Sequence, residues 1–403
     1  MNKKISLGLC ISLIIISVTA TFAITMVVSK QIYSGIINNI SQRSENYGAV
    51  DEIERLVSNY YFGTDDYTTN INSSLAEGYI NGLKTGINRY LNADEYSAYS
   101  DKLEKGITGI GVETFFNAAT NQLIVTHVYE DSPAEKAGLQ KNDVITAINN
   151  QTVHITNHAV HEQLLYGNKL KSVQIEYERN GETKIVEPML GFSIPGVIGR
   201  LEGNIGYIKI NGFYKNTASE FKKAAEKLID EGATSLIFDV RNTADGDIEY
   251  AAEVIDVVIP TGTIATAKGK DGSTYRGNTV FISENSNISG VTFAVLVNGN
   301  TVGPAELFAS IMKDIARAQI IGEKTAGVGT MQELFALEDG GAVLLTVALI
   351  EPAGGEASIY NEVGIEPTAP VALSPENTAN LEILATAQDT QLTAALNMLS
   401  SVY

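Results

Sequence analysis

Two shortages exclude more than any residue that is present. The chain holds a single cysteine, Cys10, set inside an apolar segment, so the rest of the protein can form neither a disulfide nor a thiolate nucleophile. Positive charge is also scarce: 28 lysines and arginines face 47 aspartates and glutamates, leaving a net charge of -19. A surface of that sign repels phosphate backbones and anionic headgroups, so no nucleic-acid partner is expected. Repeats and low-complexity tracts are absent as well. What remains is 403 residues with 44% hydrophobic content, enough for two or three domains with proper cores.

Residues 5–28 are almost wholly apolar and follow Lys3 and Lys4. That length can cross a bilayer as a helix, and the two lysines orient it with the chain outside. A cleaved signal peptide is the alternative. The small-x-small pattern around Ala20 to Ala23 is poor and the apolar run continues past it, which favours an uncleaved anchor over residues 1–30. The expected location is the cell membrane, single-pass, with the body extracytoplasmic.

Residues 31–104 carry amphipathic helical patterns, such as DEIERLVSNYYF and SLAEGYINGLKTGI. Over 105–192 the texture becomes short β-like runs, LIVTHV, DVITAI and VQIEYE, with one short helix near 157–166. From 193 to 372 strands alternate with helices. IGYIKI leads to a helix with an expected capping box at Thr217 and Glu220, Gly232 stops it, and SLIFDV follows. VTFAVLV, a helix from Pro304 and AQIIGE repeat the theme, which predicts a largely parallel sheet; residues 373–403 end in an amphipathic helix near 377–399.

GITGIGVE followed by YEDSPAEKAGLQKNDVITAINNQTV resembles the PDZ module of the carboxyl-terminal processing, or tail-specific, serine proteases. IGYIKINGFYKNTASEF, SLIFDVRN and GEKTAGVGTMQ resemble the protease core of the same family, in its order and spacing. The resemblance implies a multidomain α/β chain: membrane helix, small helical region, PDZ module and α/β core. It implies that Gly109, Ile110, Gly111 and Val112 form the loop whose backbone N–H groups capture a peptide's terminal carboxylate. It also implies that His158 or His161 begins the groove-lining helix and helps select a ligand residue. His154, His158 and His161 together form the alternative, a zinc or nickel sensor, but residue 154 precedes the expected helix and the shared face is weak. No metal and no cofactor are expected.

The family's catalytic motifs fall on altered residues. Its serine-rich turn, which leads from a strand's terminal asparagine into a helix, corresponds to Thr301, Val302, Gly303, Pro304 and Ala305 between Asn298 and Glu306. The nucleophile's position is therefore Gly303. The residue after it, which donates an oxyanion N–H in the family, is Pro304, which has none. A second oxyanion glycine corresponds to Asp245, within Arg241 to Gly246. The general-base lysine corresponds to Val328, and the glutamine that orients it is retained as Gln332.

The implied function is a pseudoprotease that binds polypeptide C-termini or a partner protein. Pairing as a homodimer, or with an active relative, would use the terminal helices. The enzyme alternative is a serine-type endopeptidase with a relocated nucleophile, Thr301, and a relocated base, Lys324. A residue two positions upstream in an extended segment stands about 7 Å away, which argues against that rescue.

Overall fold

The computed structural model describes residues 17–19, 21–22, 24–26, 48–61, 67–83, 87–117, 120–157, 164–167, 171–277, 279–284, 288, 290–354, 361–373 and 388–400. The chain divides into two compact units, residues 1–72 and 73–403.

The single-pass anchor expected over residues 5–28 is corrected. Among the described residues no helix is long and apolar enough to cross a membrane. Its described residues, 17–19, 21–22 and 24–26, are helical. They are rich in hydroxyl residues: Thr21 Oγ1 donates to the Ser17 carbonyl and Thr25 Oγ1 to the Thr21 carbonyl, each at 2.8 Å. Residues 5–16 lie outside the described residues. Further along, residues 48–60 form a helix, and a second one covers Tyr67–Asn81.

The region expected to be helical also holds a strand, β1 (Arg89–Leu91), ahead of the helix Ala93–Lys105. That helix starts at a true capping box, in which Asn92 Oδ1 accepts from the N–H groups of Asp94 and Glu95 while Glu95 accepts from Asn92. A two-residue strand, β2 (Thr108–Gly109), then leads into β3 (Val112–Asn117), β4 (Gln122–Val128), β5 (Val144–Ile148), β6 (Gln151–Thr152), β7 (Ile175–Arg179) and β8 (Glu182–Val186). They form one antiparallel sheet in the order β3-β4-β5-β7-β8, with β6 on β5. Ile110, Leu123, Val125, Ile145, Ile148 and Ile175 fill its own core. Strand β9 (Phe192–Ser193) pairs with β2 and closes this module at its chain ends.

The α/β core follows. Its central sheet runs β10 (Val197–Glu202), β11 (Ile205–Ile210), β12 (Ser235–Asp239), β15 (Thr292–Val297), β16 (Gln319–Gly322) and β19 (Ala369–Pro370). Only β10 is antiparallel; every other neighbour pair is parallel. Near-continuous apolar strands such as TFAVLV suit that sheet because helices cover both faces. One face packs on Phe221, Ala251, Ile255, Leu307, Phe308 and Ile311 from three helices, and the other on Leu392, Ala395 and Leu399 of the helix Thr390–Ser400. The remaining strands, β13 (Gly262–Lys268), β14 (Val280–Ser283), β17 (Thr330–Ala336) and β18 (Ala342–Pro352), form a second, antiparallel sheet that also takes in β1.

The capping box expected at Thr217 and Glu220 does not form. The helix Thr217–Asp230 has Asn216 as its N-cap, with no side-chain cap bond. Tertiary partners took both side chains: Thr217 Oγ1 accepts from the Tyr214 N–H and donates to the Gly212 carbonyl, while Glu220 reaches the N–H of Gly196. Gly232, at φ 102°, ends the helix as expected.

Candidate functional site

The central strand β15 ends at Val297, just before Asn298, and after a tight turn the helix Pro304–Asp314 begins. Proline suits the first helical position because its φ is preset and no N–H is missed there. Gly303, its N-cap, sits at φ 56° and ψ -108°, a conformation that only glycine adopts without strain. The backbone thus makes a sharp strand-to-helix elbow.

Gly303 and Val328 are brought together. A Cβ placed on Gly303 would lie 4.0 Å from the Val328 carbonyl oxygen and, among the described residues, would meet nothing nearer outside its own chain neighbours. Glu306 ties the two together. Its fully buried carboxylate accepts from the N–H of Gly303 at 3.0 Å, of Gly327 at 2.7 Å and of Val328 at 2.7 Å, and from the Thr325 hydroxyl. Four donors around one anion replace the water it lost on burial. Gln332 lies on β17, where its amide donates to Thr330 Oγ1 at 2.7 Å.

Loop 240–247 closes the other side of the elbow. Val302 N–H donates to the Thr243 carbonyl at 3.0 Å, and Asn242 N–H to Asn298 Oδ1 at 3.1 Å. Asp245 turns away, towards the helix Ala93–Lys105, where its carboxylate pairs with Lys102 Nζ at 2.7 Å. Beneath the loop lies a buried charge network. Arg241 bonds Asp239 through Nε at 2.9 Å and Nη2 at 2.6 Å, and reaches Asp389 and Gln391. Tyr207 donates to Asp239 at 2.7 Å, and Lys209 Nζ donates to the Arg241 carbonyl. Two cations face two carboxylates. Burial pushes the Lys209 amine below its ordinary pKa, and only partly is this offset by Asp239. None of these buried partners was legible beforehand except Arg241.

Neither relocated group stands ready. Thr301 is fully buried; its hydroxyl donates to the Val240 carbonyl at 2.9 Å and accepts from the Asn298 N–H at 3.0 Å. Lys324 Nζ pairs with Glu366 at 2.7 Å on a half-exposed surface.

In the β module, Gly109 and Gly111 have packing reasons as well as the expected one. A Cβ would lie 2.6 Å from the Leu165 carbonyl at Gly109 and 2.3 Å from the Ser132 Cβ at Gly111, whose φ is 87°. Ile110 N–H already donates to the Leu165 carbonyl at 3.0 Å, so this loop has one donor fewer than expected. Strand β3 has β4 as its only sheet neighbour among the described residues, which leaves an edge that an extended peptide can join. His158 and His161 lie outside the described residues, and the backbone N–H of His154 bonds Asn157 Oδ1 at 2.6 Å. A cavity of about 820 Å³ opens beside β3, between it, the helix Ala93–Lys105 and Asp245.

Residues 204–371 match the family model Peptidase family S41, and residues 108–188 match that of a PDZ domain. A Staphylococcus epidermidis protein described as "Probable CtpA-like serine protease" is 26% identical over 339 residues, covering 83% of this chain and 67% of its own length. A Staphylococcus haemolyticus protein of the same description is 26% identical over 372 residues, covering 91% and 72%. The solved structure of a candidate S41 protease from Bacteroides fragilis superposes with a TM-score of 0.56 at 17% identity, over 81% of this chain and 90% of that one, a likeness of fold alone. A PDZ module joined to an S41 peptidase core therefore makes up most of the molecule. The chain belongs to the carboxyl-terminal processing (CtpA-like) serine protease family.

Proposed function

We propose that this chain is a pseudoenzyme of its family that binds polypeptide C-termini through the PDZ module and does not cleave them. The observation that carries the reading is the nearness of Gly303 to Val328, where a Cβ built on Gly303 would lie 4.0 Å from the Val328 carbonyl oxygen. In register with the family's nucleophile and base, the elbow offers a hydrogen atom and an isopropyl group. Acyl transfer needs an attacking oxygen and a proton acceptor, and neither residue type supplies one. Pro304 further removes an oxyanion donor, a loss of about 3 kcal/mol in transition-state stabilisation. The second donor position carries Asp245, whose side chain turns away to Lys102.

The rival endopeptidase would have to break the bonds that hold Thr301 Oγ1 and draw Lys324 from its surface partner. A fluorophosphonate probe separates the two readings. No covalent labelling is expected; labelling that disappears in Thr301→Ala overturns the proposal. Rebuilding with Gly303→Ser, Pro304→Ala, Val328→Lys and Asp245→Gly is expected to yield casein cleavage that the unaltered chain lacks.

A further inference from the structure

We propose that Lys102 receives the carboxylate of a bound peptide, and that Asp245 is a built-in competitor which occupies Lys102 until the ligand displaces it. The inference rests on the reading of the PDZ groove as a C-terminus site and adds a regulated contact to it.

Both residues line the same cavity as the open edge of β3, represented there by Val112, Glu113 and Thr114. Among the described residues only two cations line that cavity, Arg89 and Lys102. The Arg89 guanidinium lies over the Tyr99 ring at 5.6 Å. The carboxylates there have local tasks: Glu95 accepts from the Asn92 N–H, Asp101 pairs with Lys105 one helical turn on, and Glu113 accepts from the Tyr129 hydroxyl. Asp245 spends its carboxylate on Lys102. Among the described residues, Lys102 carries the one ammonium on that cavity that a peptide carboxylate can take.

The exchange is cheap and local. The Lys102 and Asp245 side chains are 36% and 56% exposed, and a pair that open to water contributes about 0–1 kcal/mol. One carboxylate replaces another, so the charge on Lys102 stays matched. Neither backbone has to move. The Asp245 carbonyl accepts from the Phe213 N–H at 3.0 Å, which holds the loop by its main chain. The helix carrying Lys102 is pinned separately, by Lys215 N–H on the Leu103 carbonyl at 3.0 Å and by Lys215 Nζ on Glu104 at 2.5 Å. Because Ile110 N–H is already used inside the module, the glycine loop alone is a weaker anion trap, and a counter-charge beside it has more to contribute.

The test uses the full chain and two fluorescent peptide pools degenerate at their last four positions, one ending in a free carboxylate and the other amidated. Asp245→Asn is expected to tighten the free-acid pool about twofold to fivefold, and Lys102→Met to weaken it by a similar factor, with the amidated pool unmoved by either. Lys102→Arg keeps the charge and should keep the discrimination between pools. In Lys102→Met, adding Asp245→Asn should change nothing further. If the variants leave free-acid affinity unchanged, or shift both pools alike, the assignment of Lys102 is wrong while the groove remains a C-terminus site. If the unaltered chain binds both pools equally, the C-terminus reading of the groove fails, and this inference with it.

Discussion

Arg241 meets Asp389 with both terminal nitrogens, Nη1 to Oδ1 at 3.0 Å and Nη2 to Oδ2 at 2.7 Å, and both side chains are fully buried. Asp389 also accepts from the N–H groups of Gln391 and Leu392 and so caps the helix Thr390–Ser400. One carboxylate thereby fastens the last helix to loop 240–247. Asp389→Ala strips a buried cation of a partner and removes the cap together, so a loss of about 3–5 kcal/mol is expected in urea denaturation. A loss below about 1 kcal/mol would show that Asp239 alone satisfies Arg241.

Acid should act through Asp239. Burial disfavours its charge, but Arg241 and then Lys209 outweigh that and hold its carboxyl well below the usual carboxylate range. Since the folded pKa lies below the unfolded one, the unfolded chain takes up the proton first as pH falls. The stabilisation is complete above about pH 4 and fades below it. The stability difference between the unaltered chain and Asp239→Asn should be flat from neutrality down to about pH 4 and shrink beneath that.

Glu306→Gln keeps the shape and loses the charge. An amide can offer only one oxygen to the four donors, and its NH2 must face backbone N–H groups, so a loss of about 2–4 kcal/mol is expected. Hydrogen exchange should rise first at Gly303, Gly327 and Val328, whose amides Glu306 holds. Unchanged protection at those three amides would refute the view that Glu306 joins the elbow to the following segment.

Two glycines should respond differently to a methyl group. At Gly303 the Cβ has room and only the backbone conformation resists, so Gly303→Ala should lower stability by about 1–3 kcal/mol. At Gly322 a Cβ would lie 2.1 Å from the Val297 carbonyl oxygen, a clash with backbone inside a parallel pair. Thermal melts should rank Gly322→Ala well below Gly303→Ala; the reverse order would mean that the elbow, not the sheet, limits stability.

Local patterns were legible and distant ones were not. SLIFDV and VTFAVLV announce buried strands because both faces of a parallel strand are covered, and each became one. The resemblance to the family singles out Gly303 and Val328, and a Cβ on Gly303 would lie 4.0 Å from the Val328 carbonyl oxygen. By contrast, nothing in RYL at 89–91 reveals that it pairs with Ala342 to Leu344, a contact set by the second sheet. The Thr217 and Glu220 pattern misled because neighbouring segments claimed both side chains. Arg241 was read only as part of a loop motif, and its match with Asp389 spans 148 residues. The apolar run over 5–28 suggested a span, whereas among the described residues no helix is long and apolar enough to cross a membrane.

The bonds that shape the elbow take only main-chain hydrogens from residues 303, 327 and 328. The hydrogen bonds of that joint do not depend on the side chain at position 328, whereas the φ of 56° at position 303 favours glycine. A different side chain at position 328 can therefore be accommodated without redrawing the turn that feeds the helix Pro304–Asp314.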